Sequence, residues 1–128
     1  MSMEPKRVLI LDDERVIADV LSIILSQSGY EARSAYNHSM AVEIAREFRP
    51  KLLITGFNNA CEKNGCETAL ELLGFLPDCR ILIFSGQAAT AIALEDYCRR
   101  GYEFEVLAKP VHPNYLLERV RKVFETSG

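Results

Sequence analysis

The sequence predicts an α/β fold with one parallel sheet buried on both faces. Three observations support this. Short apolar runs rich in Val, Ile, Leu and Phe show little polar alternation, which suits strands covered on both sides. Longer amphipathic segments separate them, and regular strand–helix alternation implies a doubly wound sheet with helices on both faces. The chain has 128 residues, 48% hydrophobic and 26% charged, enough for a single domain (residues 1–128, core about 7–124).

The elements follow in order. The strands are expected in "RVLILDD" from Arg7, "YEARSAY" from Tyr30, "KLLIT" from Lys51, "RILIFS" from Arg80 and "EFEVLA" from Glu103. The first helix spans about Asp13–Ser28, with Val16, Ile17, Val20, Leu21 and Ile24 as its inward stripe and Gly29 as its stop. Asn37 or Ser39 caps the second, whose inner face carries Met40, Ile44 and Phe48 before Pro50. The third covers about Glu67–Phe75, and the fourth about Gln87–Gly101. The fifth follows Pro113 and turns Leu116, Leu117, Val120 and Phe124 inward.

Charge and composition exclude several functions. A net charge of −3 and a pI near 5.4 argue against general attraction to nucleic acid or to a membrane surface. No apolar run approaches the roughly 18 residues that span a bilayer. The polar start, Met1–Arg7, is too short for a secretory leader, so a cytoplasmic protein is expected. Cys61, Cys66, Cys79 and Cys98 are then read as reduced thiols. Cys61 and Cys66 lie close enough in sequence to pair or to hold a soft metal, but no second ligand pair accompanies them.

In such a sheet, ligands bind at the carboxyl ends of the strands. Strand one ends in Asp12 and Asp13, strand three in Thr55 and Gly56, strand four in Ser85, and strand five in Lys109 and Pro110. Alone, each has an ordinary explanation: a helix cap, a turn residue, a solvated charge. Together, acids, a hydroxyl and an ammonium at one edge of an apolar sheet form a polar cluster. Thr55 stays out of it, because strand alternation points it to the other face.

In order and spacing, "VLILDDE", "LLIT", "ILIFSG" and "LAKP" resemble the receiver domain of two-component response regulators, over about Arg7–Phe124. The resemblance implies a flavodoxin-like doubly wound (βα)5 three-layer sandwich with strand order 2-1-3-4-5. It implies a metal site at Asp12 and Asp13, with Ser85 and Lys109 contacting a phosphoryl group carried by an aspartate at the end of strand three. Gly56 stands at that aspartate's position, so no catalytic acceptor remains there. The following loop, "FNNACEKNG", lacks the family's Met-Pro pair and brings Gly65 one place late. Val106 replaces the aromatic residue commonly found three places before the Lys.

The expectation is therefore a non-enzymatic pseudo-receiver. It would act by protein contact with a kinase, another regulator or a second copy, with no required cofactor and at most weak magnesium binding. The surface of the fourth helix, fifth strand and fifth helix offers Glu95, Asp96, Glu105, Arg119 and Lys122 for such contact. Two alternatives are a conventional phosphorelay receiver using a substitute acceptor such as Glu62, and a thiol or metal sensor built on Cys61 and Cys66. Lys109, lacking its usual aspartate neighbour, is expected to pair with Asp12 or Asp13.

Overall fold

The structure is a computed structural model that describes residues 5–56, 65–85, 99–101, 104–108 and 112–126. Five strands, β1 (Arg7–Leu11), β2 (Glu31–Ala35), β3 (Leu52–Gly56), β4 (Arg80–Ser85) and β5 (Glu105–Ala108), form one parallel sheet in the order β2-β1-β3-β4-β5. The helices are α1 (Arg15–Gln27), α2 (His38–Phe48), α3 (Gly65–Leu73) and the C-terminal α4 (Pro113–Thr126). The helix expected over about Gln87–Gly101 falls largely outside the described residues. At its far end Arg99 is helical and Gly101 adopts φ +94°, the left-handed geometry that ends helices.

Alternation along the central strands divides the core into two layers. Leu9, Leu11, Leu53, Ile81 and Ile83 face α2 and α3, meeting Ala41, Ala45, Cys66, Ala69 and Leu72. Val8, Ile10, Leu52, Ile54, Leu82 and Phe84 face α1 and α4, meeting Ala18, Leu25, Leu116 and Val120. This two-sided burial is why the strands read as unbroken apolar runs. Strand β2 differs because it is an edge strand. Its burial alternates, with Glu31 and Arg33 exposed and Ala35 buried.

The helix ends follow local chemistry. Asn37 caps α2, its side chain accepting the Met40 N–H at 2.8 Å. Arg49 closes α2 in a left-handed conformation (φ 51°), its N–H donating to the Ala45 carbonyl at 2.9 Å. His112 precedes α4, and its Nδ1 accepts the Asn114 N–H at 3.1 Å. Of the residues expected on the inner face of α4, Leu116 and Val120 are buried and Leu117 and Phe124 pack at the margin.

The inward stripe of α1 is corrected in part by the structure. Of the expected stripe, Val16 and Val20 are 75 and 47% exposed, whereas Ile17, Leu21 and Ile24 are half-buried, with Leu21 packed against the core, and Ala18 and Leu25 beside them are fully buried. The helix is turned slightly about its axis relative to the expected stripe, keeping Ile17, Leu21 and Ile24 on the inner side. The observed face agrees with the contacts to β2 and the residue after it: Asp19 accepts hydrogen bonds from Ser34 Oγ (2.9 Å) and Tyr36 Oη (2.6 Å). Those bonds lie on the Ala18–Asp19 side of α1, where the small Ala18 permits close approach to the sheet. The inner face of α2 is shifted in the same way: Ala41, Val42 and Ala45 are buried beside Phe48, while Met40 and Ile44 sit at its margin.

This orientation has a direct test in chemical denaturation. Leu25→Ala should cost about 2–5 kcal/mol, the usual cost of emptying a packed site. Val16→Ser should stay within about 0.5 kcal/mol of the parent, as an exposed substitution does. The reverse order would restore the expected stripe.

Candidate functional site

The carboxyl edge of the sheet is organised by the pairing of β1 with β3. Leu11 is in register with Thr55, which sets Asp12 beside Gly56 at the next position. Asp12 is 2% exposed, unusual for a carboxylate. Its Oδ1 accepts the Glu14 N–H at 2.9 Å, and its own N–H donates to the Ala35 carbonyl at 3.1 Å. The first bond fixes the turn between β1 and α1; the second extends the β1–β2 ladder by one residue. Asp13 is exposed.

Gly56 closes β3 and pairs with Phe84 of β4. A Cβ at this position would meet Asp12 Oδ2 at 3.6 Å and Asp12 Cγ at 3.8 Å, ordinary van der Waals distances. The backbone there tolerates a Cβ, and a side chain would start directly beside the Asp12 carboxylate. Thr55 is fully buried, and its hydroxyl donates to the Gly56 carbonyl at 2.9 Å. It faces away from Asp12, as alternation requires. Ser85 ends β4 in register with Ala108 of β5. Asp12, Gly56 and the end of β4 are thus brought to one edge of the sheet. Lys109, Glu62, Cys61, Cys98, Glu95 and Asp96 lie outside the described residues, as does the expected pairing of Lys109.

Of the expected contact surface, Glu105 and Arg119 form an ion pair between β5 and α4, and Lys122 lies 3.5 Å from Glu118 on α4. Val106 is 47% exposed on β5. Nothing in the sequence alone marks two further polar groupings. One is the Asp19–Ser34–Tyr36 cluster, with the Arg15 guanidinium 4.8 Å from the Tyr36 ring centre. The other is His38, nearly buried between α2 and α3, with Nδ1 2.8 Å from Thr68 Oγ1 and Nε2 3.1 Å from Glu71 Oε1. His38 ties the first turn of α2 to the first turns of α3, immediately after the altered loop. Its partners lie some thirty residues away in sequence, which hides the link from any local pattern.

The family comparison agrees with this topology. The response regulator receiver domain model matches residues 8–121. This chain belongs to the response regulator receiver family. It is 30% identical over 119 residues to the chemotaxis protein CheY of Thermotoga maritima, covering 92% of this chain and 97% of that one. It is 29% identical over 125 residues to the transcriptional regulator NtrC of Azospirillum brasilense, of which it spans only 25%. Among solved structures, a CheY-like receiver domain from Methanospirillum hungatei superposes with a TM-score of 0.85 at 22% identity, covering 97% of each chain. That likeness shows the flavodoxin-like fold. The receiver is a module of two-component signalling, and no helix among its described residues is long and apolar enough to cross a membrane.

The cysteine sensor finds no support at Cys66. Burial, with a smaller push from Glu67, raises its thiol to about 12. Burial also raises Cys79 to about 12. Both thiols therefore stay protonated and shielded near neutral pH. Iodoacetamide should leave Cys66 and Cys79 unmodified in the folded receiver and label both after denaturation; rapid labelling of Cys66 in the native state would reopen the thiol reading.

The Asp19 cluster gives a pH-dependent prediction. Hydrogen bonds from Tyr36 and then Ser34 hold the Asp19 carboxyl below its usual range. A depressed carboxyl stabilises the fold above its unfolded value, about 3.9, and that contribution is lost as pH falls through the folded value. Asp19→Asn should melt below the parent at neutral pH, and the gap should close on acidification. A constant gap would show that charge on Asp19 is not what matters.

Proposed function

We propose that this receiver acts as a pseudo-receiver: it signals through protein contact, without aspartyl phosphorylation at the end of β3. The observation that carries the reading is Gly56 beside the buried Asp12. Acyl-phosphate formation needs a nucleophilic oxygen at the reacting phosphorus. Glycine supplies none, and the neighbouring Thr55 hydroxyl is buried, turned away and engaged with the Gly56 carbonyl.

The remaining donors fit magnesium only weakly. The ion prefers near-octahedral oxygen ligation, with carboxylates assisted by other oxygens. Asp12 and Asp13 would hold it, but Asp12 Oδ1 already accepts the Glu14 N–H, and Gly56 adds no side-chain oxygen. Binding in the millimolar range, roughly −4 kcal/mol, is expected. When bound, the ion would supply charge neutralisation between the two acids. Because Asp12 is deeply buried, its electrostatics depend on whatever cation stands nearby.

A pseudo-receiver of this kind needs its partner surface in place without a chemical trigger. The α4–β5 side, with Glu105, Arg119 and Lys122 and, from the fourth expected helix, Glu95 and Asp96, is the proposed contact face. Its mixed charges suit a protein partner, whether a kinase, another regulator or a second copy.

Intact-mass spectrometry tests the reading. Wild-type receiver incubated with a small phosphodonor and magnesium should keep its mass; a stable phosphoryl adduct would overturn the proposal, and its position would identify a substitute acceptor such as Glu62. A Cβ at position 56 meets only ordinary contacts, so Gly56→Asp would start a second carboxyl side chain next to Asp12. It should bind magnesium more tightly than wild type, read as a larger magnesium-dependent rise in melting temperature. It should regain phosphorylation less completely, because Val106 and the altered loop remain.

A further inference from the structure

The amino-terminal end of the sheet carries a feature that the carboxyl-edge site does not explain. Arg7 of β1 and Arg33 of β2 both lie over the ring of Phe48, the last residue of α2, at 5.8 and 4.7 Å from its centre. Phe48 is almost fully buried, whereas Arg33 is exposed. Lys51 joins them, because its N–H donates to the Arg7 carbonyl at 2.9 Å and so sets it beside Arg7. Arg7, Arg33 and Lys51 share strand parity with Leu9, Ala35 and Leu53, all of which face α2 and α3. Two neighbouring strands, and the residue that leads into a third, therefore place cations on the same side, at the end where α2 finishes with the exposed Arg49.

Part of this has an ordinary origin. The carbonyl end of a helix favours cations, which accounts for Arg49. It does not account for Arg7 and Arg33, which come from strands, or for Lys51, which leads into β3. Two guanidinium groups over one ring place like charges within about 10 Å of each other, roughly one Debye length at 0.1 M salt. Glu31, 3.1 Å from Arg7, offsets part of that crowding. The nearby Glu47 is exposed on α2. Cations still outnumber acids on this surface, in a chain whose net charge is −3.

We propose that this surface docks an acidic peptide segment of a partner protein. Stacking on Phe48 restricts how the guanidinium groups can turn. A guanidinium with a restricted orientation loses less freedom on pairing with a carboxylate. Neighbouring strands lie about 4.8 Å apart, so the cations from β2 to the lead-in of β3 span about 10 Å, the distance between carboxylates a few residues apart on an extended chain. Nucleic acid fits less well: a long polyanion would reach past the patch to a molecule of net negative charge. The surface lies toward the β2 edge, across the sheet from β5, and the proposal does not depend on whether Gly56 abolishes phosphotransfer.

The test is fluorescence anisotropy at low salt with a labelled peptide of alternating glutamate and glycine. A glutamine–glycine peptide of equal length and a DNA duplex serve as comparisons. The glutamate peptide should bind, and the glutamine peptide should not. Affinity should fall as salt rises. Arg33→Glu with Lys51→Glu should weaken binding roughly tenfold or more, while Arg121→Glu on α4 should leave it unchanged. Arg33→Gln with Lys51→Gln should weaken binding less, and it keeps the test decisive if the reversed charges impair folding, which melting curves would show. The proposal is overturned by equal binding of both peptides, by unchanged affinity in the double variants, by tighter binding of the duplex, or by sedimentation showing only self-association of the receiver.

Discussion

The parallel pairing of β1 with β3 is the constraint on which the rest of this receiver depends. Both strands are apolar on both faces, so a one-residue slip would move every core side chain to the wrong layer. The resulting register places Leu11 against Thr55 and therefore Asp12 against Gly56. It also fixes the amino end, where Lys51 lies beside Arg7. The chemistry at both ends of the sheet is thus set by the same few apolar residues in the middle. A substitution such as Leu53→Ala would disturb both, with no change to any polar group.

At the carboxyl end, burial gives the glycine its consequence. An exposed glycine in place of an acid would remove one charge and little else. Here the position adjoins a carboxylate that is almost completely withdrawn from water. A carboxylate at this position would alter the balance of charge in a low-dielectric pocket, where unpaired charges are expensive. Asp12 is kept useful structurally through its bond to the Glu14 N–H, which shapes the entry into α1. That structural duty gives the acid a role in this fold independent of any chemistry in the pocket. His38 has a comparable role on the other layer, joining α2 to the start of α3 through Thr68 and Glu71.

Much of this was legible in the sequence, for identifiable reasons. The strands could be read because two-sided burial demands uninterrupted apolar runs, and their carboxyl ends located Asp12, Gly56 and Ser85 at one edge. Asn37 could be read as a cap because its chemistry is local. The rotation of α1 could not. The branched aliphatic residues Val16 and Val20 suggested one inward face, and the observed face, turned slightly from it, agrees with the hydrogen bonds of Asp19 to Ser34 and Tyr36. The same limit hid His38 and the convergence of Arg7, Arg33 and Phe48. Each of these is a contact between elements, and periodicity within an element carries no information about it.

The central claim is that this receiver carries no acyl phosphate in use, and the most direct measurement is phosphate-affinity electrophoresis of the protein taken from the cells that make it, with and without hydroxylamine. The account predicts one band of unshifted mobility under both treatments. A retarded band that hydroxylamine abolishes would show an acyl phosphate formed in the cell and would contradict it.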